Sequence, residues 1–381
     1  MSDDPSQSLL RWGIEHAEPG ALIPLAEDMK AGRRPDLNTD VLRAIMGTTD
    51  ADRMRDCVQV IEGTWVNRDQ QGNVTNQGSS VTHEDKLRAW DDLEMLVEDI
   101  DNANGEPQRT TDEARASLDH RLTNVADYFL IMYVTQPDLK NLGLWPRITK
   151  HLTSDDDQVL MRACWVCGTA VQNNPRANAA FLEHDPLPTI NSLLMSDSSS
   201  TSTRNKAMYC LSSTLKHSPL AVARFGQLDG WSVLRKCLQD PSSIVRNKTA
   251  FLLSQLVSQV EDVNSFLSTL RTNQVLSTLI ESLSSTSAVP TGPNGEQESI
   301  DLDYKDKSLR FFVNAIEAVK HSLSSSTTST TTTTTTTTTI FDPEEKQAIR
   351  QLVQEVENDE DWSVDDLGLA QSEWQQFKQA I

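Results

Sequence analysis

The chain has 381 residues, a formal net charge of −21 and five cysteines. That length suits one long domain or two ordinary ones, and the acidic balance argues against non-specific binding to nucleic acid or anionic membranes, which need clustered Lys and Arg. The longest apolar run, residues 128–134, is far too short to span a bilayer. An odd cysteine count without a secretory leader predicts reduced thiols and a cytoplasmic setting.

Residues 1–35 read as a flexible N-terminal segment that opens "MSDDPSQSLLRWGIEHAEPG". The next stretch is mixed and ends in an Asn/Gln/Gly-rich cluster, "NRDQQGNVTNQGSS". A regular, Leu-rich region starts near Glu84 with "KLRAWDDLEMLVEDIDNAN" and runs to about Leu283. It gives way to a Ser/Pro/Gly-rich break and then to a helical pattern that ends at Leu323. Residues 324–340, a Ser/Thr tract, offer no surface for packing and read as a disordered linker. Residues 341–381 form a tail with one predicted helix, "DPEEKQAIRQLVQEVE", and two tryptophans, Trp362 and Trp374.

Within the Leu-rich region the chain repeats. "RNKAMYCLSSTLKHSP" begins at Arg204 and "RNKTAFLLSQLV" at Arg246, 42 residues later; one copy earlier the shift is 44. Basic residues align at Arg162, Lys206 and Lys248, and aromatics three places on at Trp165, Tyr209 and Phe251. Apolar columns follow at Cys167, Leu211 and Leu253, at Val171, Leu215 and Val257, and at Phe181, Phe225 and Leu267. A second apolar set closes each copy at Ile190, Leu234 and Leu276, then Leu194, Leu238 and Ile280. Recurrence at i, i+4 and i+8 predicts amphipathic helices, and Pro175 and Pro219 end the first helix of two copies. Each copy therefore reads helix, turn, short helix, helix. The predicted fold is all-α, an armadillo/HEAT-like α-solenoid over residues 36–323.

The array extends both ways. Ile148 and Leu152 in "LGLWPRITKHL" fall 42 before Ile190 and Leu194, and "KDKSLRFFVNAIEAV" predicts a fourth inner helix. The spacing fails once: Asn174 to Ile190 is 16 residues but Asn104 to Ile148 is 44, an excess of 28 placed near residues 106–136. A genuine loop and a translated intron both account for it.

Catalytic signatures are lacking. The sequence contains no G-x-G-x-x-G, Walker A, G-x-S-x-G or H-x-x-x-H pattern. The C-x-x-C of Cys164 and Cys167 has no second ligand pair and falls on a core column, so it reads as small core residues. The acidic run at residues 155–157 reads as a helix N-cap with solvated neighbours. No cofactor, metal or enzymatic activity is expected.

The basic column is the candidate site: Arg162, Lys206 and Lys248, with Arg204 and Arg246 beside the last two. It serves either as solvated charge and ion pairs between repeats or as the floor of a protein-binding groove. The aromatic column is assigned to packing between repeats. Gln172, Asn173 and Asn174 either face the groove or form a helix C-cap and turn.

"ACWVCGTAVQNNP" followed by "RNKAMYCLSSTLKHSP", together with "LEMLVEDIDNAN", "LGLWPRITKHL" and the N-terminal "SLLRWGIEHA", resembles the armadillo-type nucleotide exchange factors of the 70-kDa heat-shock chaperone, in their cytosolic fungal form. The likeness covers most of residues 1–283. It implies a solenoid that grips one lobe of the chaperone's nucleotide-binding domain, favours a form that holds ADP poorly, and so promotes client release. It also implies a monomer with contact residues at Ala103, Asn104, Gln172, Asn173, Asn174, Arg204, Lys206 and Tyr209, with Arg246 and Lys248 one repeat on. Ala103, Arg204, Lys206 and Arg246 are expected to be the exposed ones. By the same likeness Leu9, Leu10, Arg11 and Trp12 occupy the chaperone's client site; packing of that segment on the first repeat is the alternative. A generic armadillo adaptor for basic peptides is disfavoured by the basic column.

Overall fold

The computed structural model describes residues 50–66, 80–103, 139–283, 301–325, 340–358 and 369–381. The predicted segment 1–35, the excess at 106–136 and most of the Ser/Thr linker lie outside them. Among the described residues every regular element is a helix. The chain divides into two compact units, residues 1–184 and 185–381.

The first unit holds α1 (Asp50–Ile61), α2 (His83–Ala103), α3 (Trp145–Thr149) with a following 3-10 turn, α4 (Asp157–Val171) and α5 (Pro175–Leu182). The sequence reading singled out no helix as early as α1. Its signal is a short stripe, Met54, Val58 and Ile61, all of it buried. Thr82 and Asp85 start α2 with reciprocal bonds: Thr82 N donates to Asp85 Oδ2 at 2.9 Å and Asp85 N to Thr82 Oγ1 at 3.2 Å. Trp90 and His151 meet edge to face at 5.4 Å, and Trp145 lies 5.0 Å from Phe181.

At the end of α1, Glu62 accepts from Lys150 Nζ at 2.6 Å and from both Arg147 Nε and Nη2. The Arg147 hydrogen bonds hold the Glu62 carboxyl down at about 2, against opposing burial and with help from Lys150. A lowered folded pKa stabilises above the unfolded value and is lost as pH falls through the folded one. Acid unfolding, followed by far-ultraviolet circular dichroism, is therefore expected to take stability from this cluster as pH falls from about 4.5 towards 2. In Glu62→Gln the stability near neutral pH drops and the acid limb becomes shallower; an unchanged limb would remove the cluster from the account.

The second unit holds α6 (Leu187–Met195), α7 (Thr201–Leu215), α8 (Pro219–Gln227), α9 (Gly230–Leu238), α10 (Ser243–Val257), α11 (Val263–Thr272), α12 (Val275–Glu281), α13 (Leu302–Ser325), α14 (Pro343–Asn358) and α15 (Gln371–Ala380). The helices α4, α7 and α10 start 44 and 42 residues apart and are 15 residues each, so the repeat register of the sequence is the register of the helices. Every apolar column named above is buried.

The turns follow a rule. Asn173 and His217 adopt left-handed φ of 54° just before the capping residues Asn174 and Ser218. Asp185, Asp229 and Gln274 do the same, at 44°, 55° and 57°, just ahead of the third helices. Short polar residues tolerate that region best among non-glycines. Pro175 and Pro219 take the first helical position, where the missing N–H costs nothing. Gly230 is required by packing, since a methyl there would stand 2.4 Å from the Phe225 ring.

The expected fourth inner helix is α13. It packs on α10, with Asn314 Nδ2 donating to Ser254 Oγ at 2.9 Å and Tyr304 hydroxyl 2.7 Å from Ser282 Oγ. The tail docks on the same unit: α14 contacts α12, α15 contacts α13, and Phe341 stands 5.8 Å from Phe312. Arg271 grips Glu345 through Nε at 2.7 Å and Nη2 at 2.8 Å. The second tail helix, α15, was not anticipated from the sequence.

Candidate functional site

The two R-N-K triplets open α7 and α10 and divide their labour. Arg204 donates from Nε to Asp240 Oδ2 at 2.7 Å and from Nη2 to Oδ1 at 3.2 Å, with the two side chains 13% and 7% exposed. Arg246 is wholly buried, its Nη1 donating to the carbonyls of Asp240 at 2.7 Å and Pro241 at 3.0 Å. Both arginines thus bind the turn between α9 and α10. The expectation that both are exposed is corrected: Arg246 is buried and Arg204 half-buried, with their guanidiniums on the repeat junction.

The asparagines tie each inner helix to the next. Asn205 accepts from Lys248 Nζ at 2.6 Å, and Asn247 donates to Asp301 at 3.1 Å and Asp303 at 3.0 Å.

The lysines turn outward onto aromatic rings. Lys206 Nζ stands 5.9 Å and Lys248 Nζ 5.3 Å from the Tyr209 ring centroid, and Lys216 Nζ stands 4.6 Å from that of Phe251. Lys206, Tyr209 and Lys248 are half-buried, while Phe251 and Ile244 are exposed. Burial, and then the charge of Lys206, push the Lys248 ammonium down to about 8; burial also lowers Lys216. Tyr209 and Phe251 therefore face outward under lysines, a difference from the packing role given to the aromatic column. A ring flanked by ammoniums is polar enough to stay at the surface.

In the first unit the basic column is spent on an ion pair. Arg162 donates to Asp91 from Nε at 2.8 Å and Nη2 at 3.3 Å, joining α4 to α2. The Q-N-N stretch is a turn: Gln172 caps α4, Asn173 is left-handed, and Asn174 Oδ1 accepts from Ala177 N at 3.0 Å to start α5. Asp156 caps α4 in the same way, as read from the acidic run. Cys167 is a buried core residue of α4, as the column placed it, Cys164 is buried on the same helix, and burial pushes the Cys164 thiol up to about 12. Among the described residues no cluster has the make-up of a metal site. Ala103 ends α2 and its side chain lies outside the description, as do Asn104 and Leu9, Leu10, Arg11 and Trp12. Lys216 and Asn205 are the site residues that sequence reasoning missed. Lys216 sits at the α7 C-cap, outside the aligned columns.

Helical triplets around an inner helix with side chains turned outward define an armadillo-like repeat protein. A designed armadillo repeat protein matches the structure with a TM-score of 0.50 at 11% identity, over 86% of this chain and 99% of that one. The family model "Nucleotide exchange factor Fes1" matches residues 6–105, and "SIL1/FES1/HPBP1 C-terminal domain" matches residues 136–281. The chain belongs to this Fes1 family. Similar relatives are each named "Hsp70 nucleotide exchange factor FES1": one from Mycosarcoma maydis is 33% identical over 303 residues, covering 77% of this chain and 64% of the relative. The one from Cryptococcus neoformans is 28% identical over 312 residues, covering 77% and 70%. A Schizosaccharomyces pombe relative is 30% identical over 225 residues, and the chain spans 61% of its length.

Proposed function

We propose that this chain is a nucleotide exchange factor of the cytosolic 70-kDa heat-shock chaperone, working in the cytoplasm as a monomer. The observation that carries the reading is its place in the Fes1 family, whose relatives bear that name. The lysine–aromatic face of α7 and α10 supports it, because lysines over aromatic rings beside exposed Phe251 and Ile244 offer charge and apolar area together. Lys206, Tyr209 and Lys248 are the proposed contact of the second unit; in the first unit the family likeness alone puts forward Ala103, Asn104 and the exposed turn residue Asn173.

The mechanism is differential binding. A factor that binds the ADP-poor form of the chaperone's nucleotide-binding domain more tightly than the ADP-bound form must lower ADP affinity by the same factor. No covalent step is involved. ATP then enters and the client leaves, with residues 9–12 competing for the client site.

Stopped-flow release of fluorescent ADP from the purified chaperone tests this. Couplings of ordinary size predict a saturable acceleration of about 5–150-fold. No acceleration by this chain, nor by one lacking residues 106–136, would overturn the reading.

A further inference from the structure

Residues 258–262, Ser-Gln-Val-Glu-Asp, join α10 to α11 outside any regular element. Ser258, Glu261 and Asp262 are exposed, and the two residues between are half-buried. Ser258 is the C-cap of α10, and its hydroxyl donates to the Ser254 carbonyl at 3.1 Å. Asp262 caps α11 by accepting from Ser265 N at 3.0 Å, whereas Glu261 makes no ion pair among the described residues. Beside this turn lies a lysine without a carboxylate. Gln259 Oε1 accepts from His217 N at 2.7 Å, which ties the turn after α10 to the turn after α7. Lys216 precedes His217, caps α7 and lays its ammonium 4.6 Å from the Phe251 ring centroid. Among the described residues it reaches no carboxylate, and burial alone lowers its ammonium. Ile244, Phe251 and Ser258 follow one another at seven-residue spacing, two helical turns each, so all three share the outward face of α10.

We propose that Ser258 is the target of an acidophilic serine/threonine protein kinase, and that Lys216 receives the phosphate by leaving the Phe251 ring. The kinase class follows from charge. A basic substrate cleft selects a serine with carboxylates just downstream, and the exposed Glu261 and Asp262 stand three and four places on. Ser258 Oγ attacks the γ-phosphorus of ATP. The Ser258 O–H bond and the β–γ P–O bond break, the Oγ–P bond forms, and ADP and a proton are released. The product adds a charge of about −1.5 to −2 at the C-terminal end of α10. The negative end of the helix repels that charge, so the phosphate needs a cation. Lys216 supplies it. The His217–Gln259 bond holds its backbone beside the turn, and its flexible stem lets the ammonium trade a ring contact for a charge-assisted hydrogen bond. Phosphorylation thereby strips the cation from Phe251 and makes this end of the α10 face anionic. The inference stands on this turn alone and does not rest on the exchange-factor reading.

The test treats the full chain with ATP and a purified acidophilic casein kinase, and maps the phosphate by tandem mass spectrometry. Phosphate on Ser258 is expected, with the rate lowered about tenfold or more in Glu261→Gln, the loss of one charge-assisted contact to the kinase. No phosphate at Ser258, or phosphate only at other serines and threonines, overturns the site. An equal rate in Glu261→Gln overturns the kinase class. Phosphorus NMR of the chain phosphorylated at Ser258 then reads the part played by Lys216. A phosphoserine loses its second proton near about 6. Facing an ammonium, that pKa is expected about one unit lower in wild type than in Lys216→Met, which keeps the stem and removes the charge. Lys216→Arg, with the charge kept, is expected to hold the lowered value. Equal titration in wild type and Lys216→Met overturns the capture by Lys216.

Discussion

Replacing Asp240 by Ala is expected to destabilise the second unit by about 3–5 kcal/mol, the cost of breaking a buried charge pair from one side. Asp240 takes two nitrogens of Arg204, accepts from Ser242 N at 2.8 Å, and gives its own carbonyl to the buried Arg246. The substitution removes the carboxylate that Arg204 hydrogen-bonds, leaving that guanidinium only 13% exposed with the charge of Asp197 acting on it without a hydrogen bond. Urea unfolding is the measurement, with the midpoint lowered and the slope kept. Asp240→Asn keeps the acceptor and is expected to lose less. An Asp240→Ala midpoint within experimental scatter of wild type would mean that the junction is held by packing alone. Arg204→Glu belongs to the same class, because it places two carboxylates together in a half-dry turn. Loss of partner binding in that variant therefore reports unfolding, whereas loss in Lys206 and Lys248 variants would report the proposed contact.

That distinction marks how far the sequence could be read. The repeat was legible because its columns are core positions, and a core position accepts only apolar side chains in every copy. Cys167, Leu211 and Leu253 satisfy that rule and are fully buried. Direction around the helix was the part misread in R-N-K. Residues two apart on a helix stand about 200° from each other, so Arg246 and Lys248 cannot share a face. One had to turn inward. Arginine took the buried place because its guanidinium is more weakly hydrated than an ammonium and so costs less to bury; there its Nη1 donates to two carbonyls at 2.7 and 3.0 Å. The lysine, a point charge on a flexible stem, went to the ring. The Q-N-N ambiguity resolved for a related reason. Asn173 and Asn174 supply a left-handed residue and a cap in sequence, which a turn between two helices demands. The tail helix α15 escaped notice because its apolar signal, Trp374, Phe377 and Ile381, is only two turns long.

Trp374→Ala is expected to cost about 3–5 kcal/mol, the range for removing a large buried aromatic, and the loss should be local. Trp374 is 1% exposed, donates from Nε1 to Glu357 at 3.2 Å and lies 5.5 Å from Phe377, so it clamps α15 to α14. The pair covers the end of the array, where α13 buries Phe311, Phe312, Ile316 and Val319. A repeat array is stabilised mainly between neighbours, so damage at one end frays inward from that end. Hydrogen exchange should then show amide protection in α13–α15 falling by about a hundredfold or more, since each factor of ten corresponds to 1.4 kcal/mol. Protection in α7, two inner helices away, should hold, and ADP release from the chaperone should keep its wild-type rate because Lys206 and Tyr209 sit there. Equal loss of protection from α7 to α15 would make the unit one cooperative block. In that case the tail would stabilise the binding face directly, and removing it would weaken exchange together with the fold.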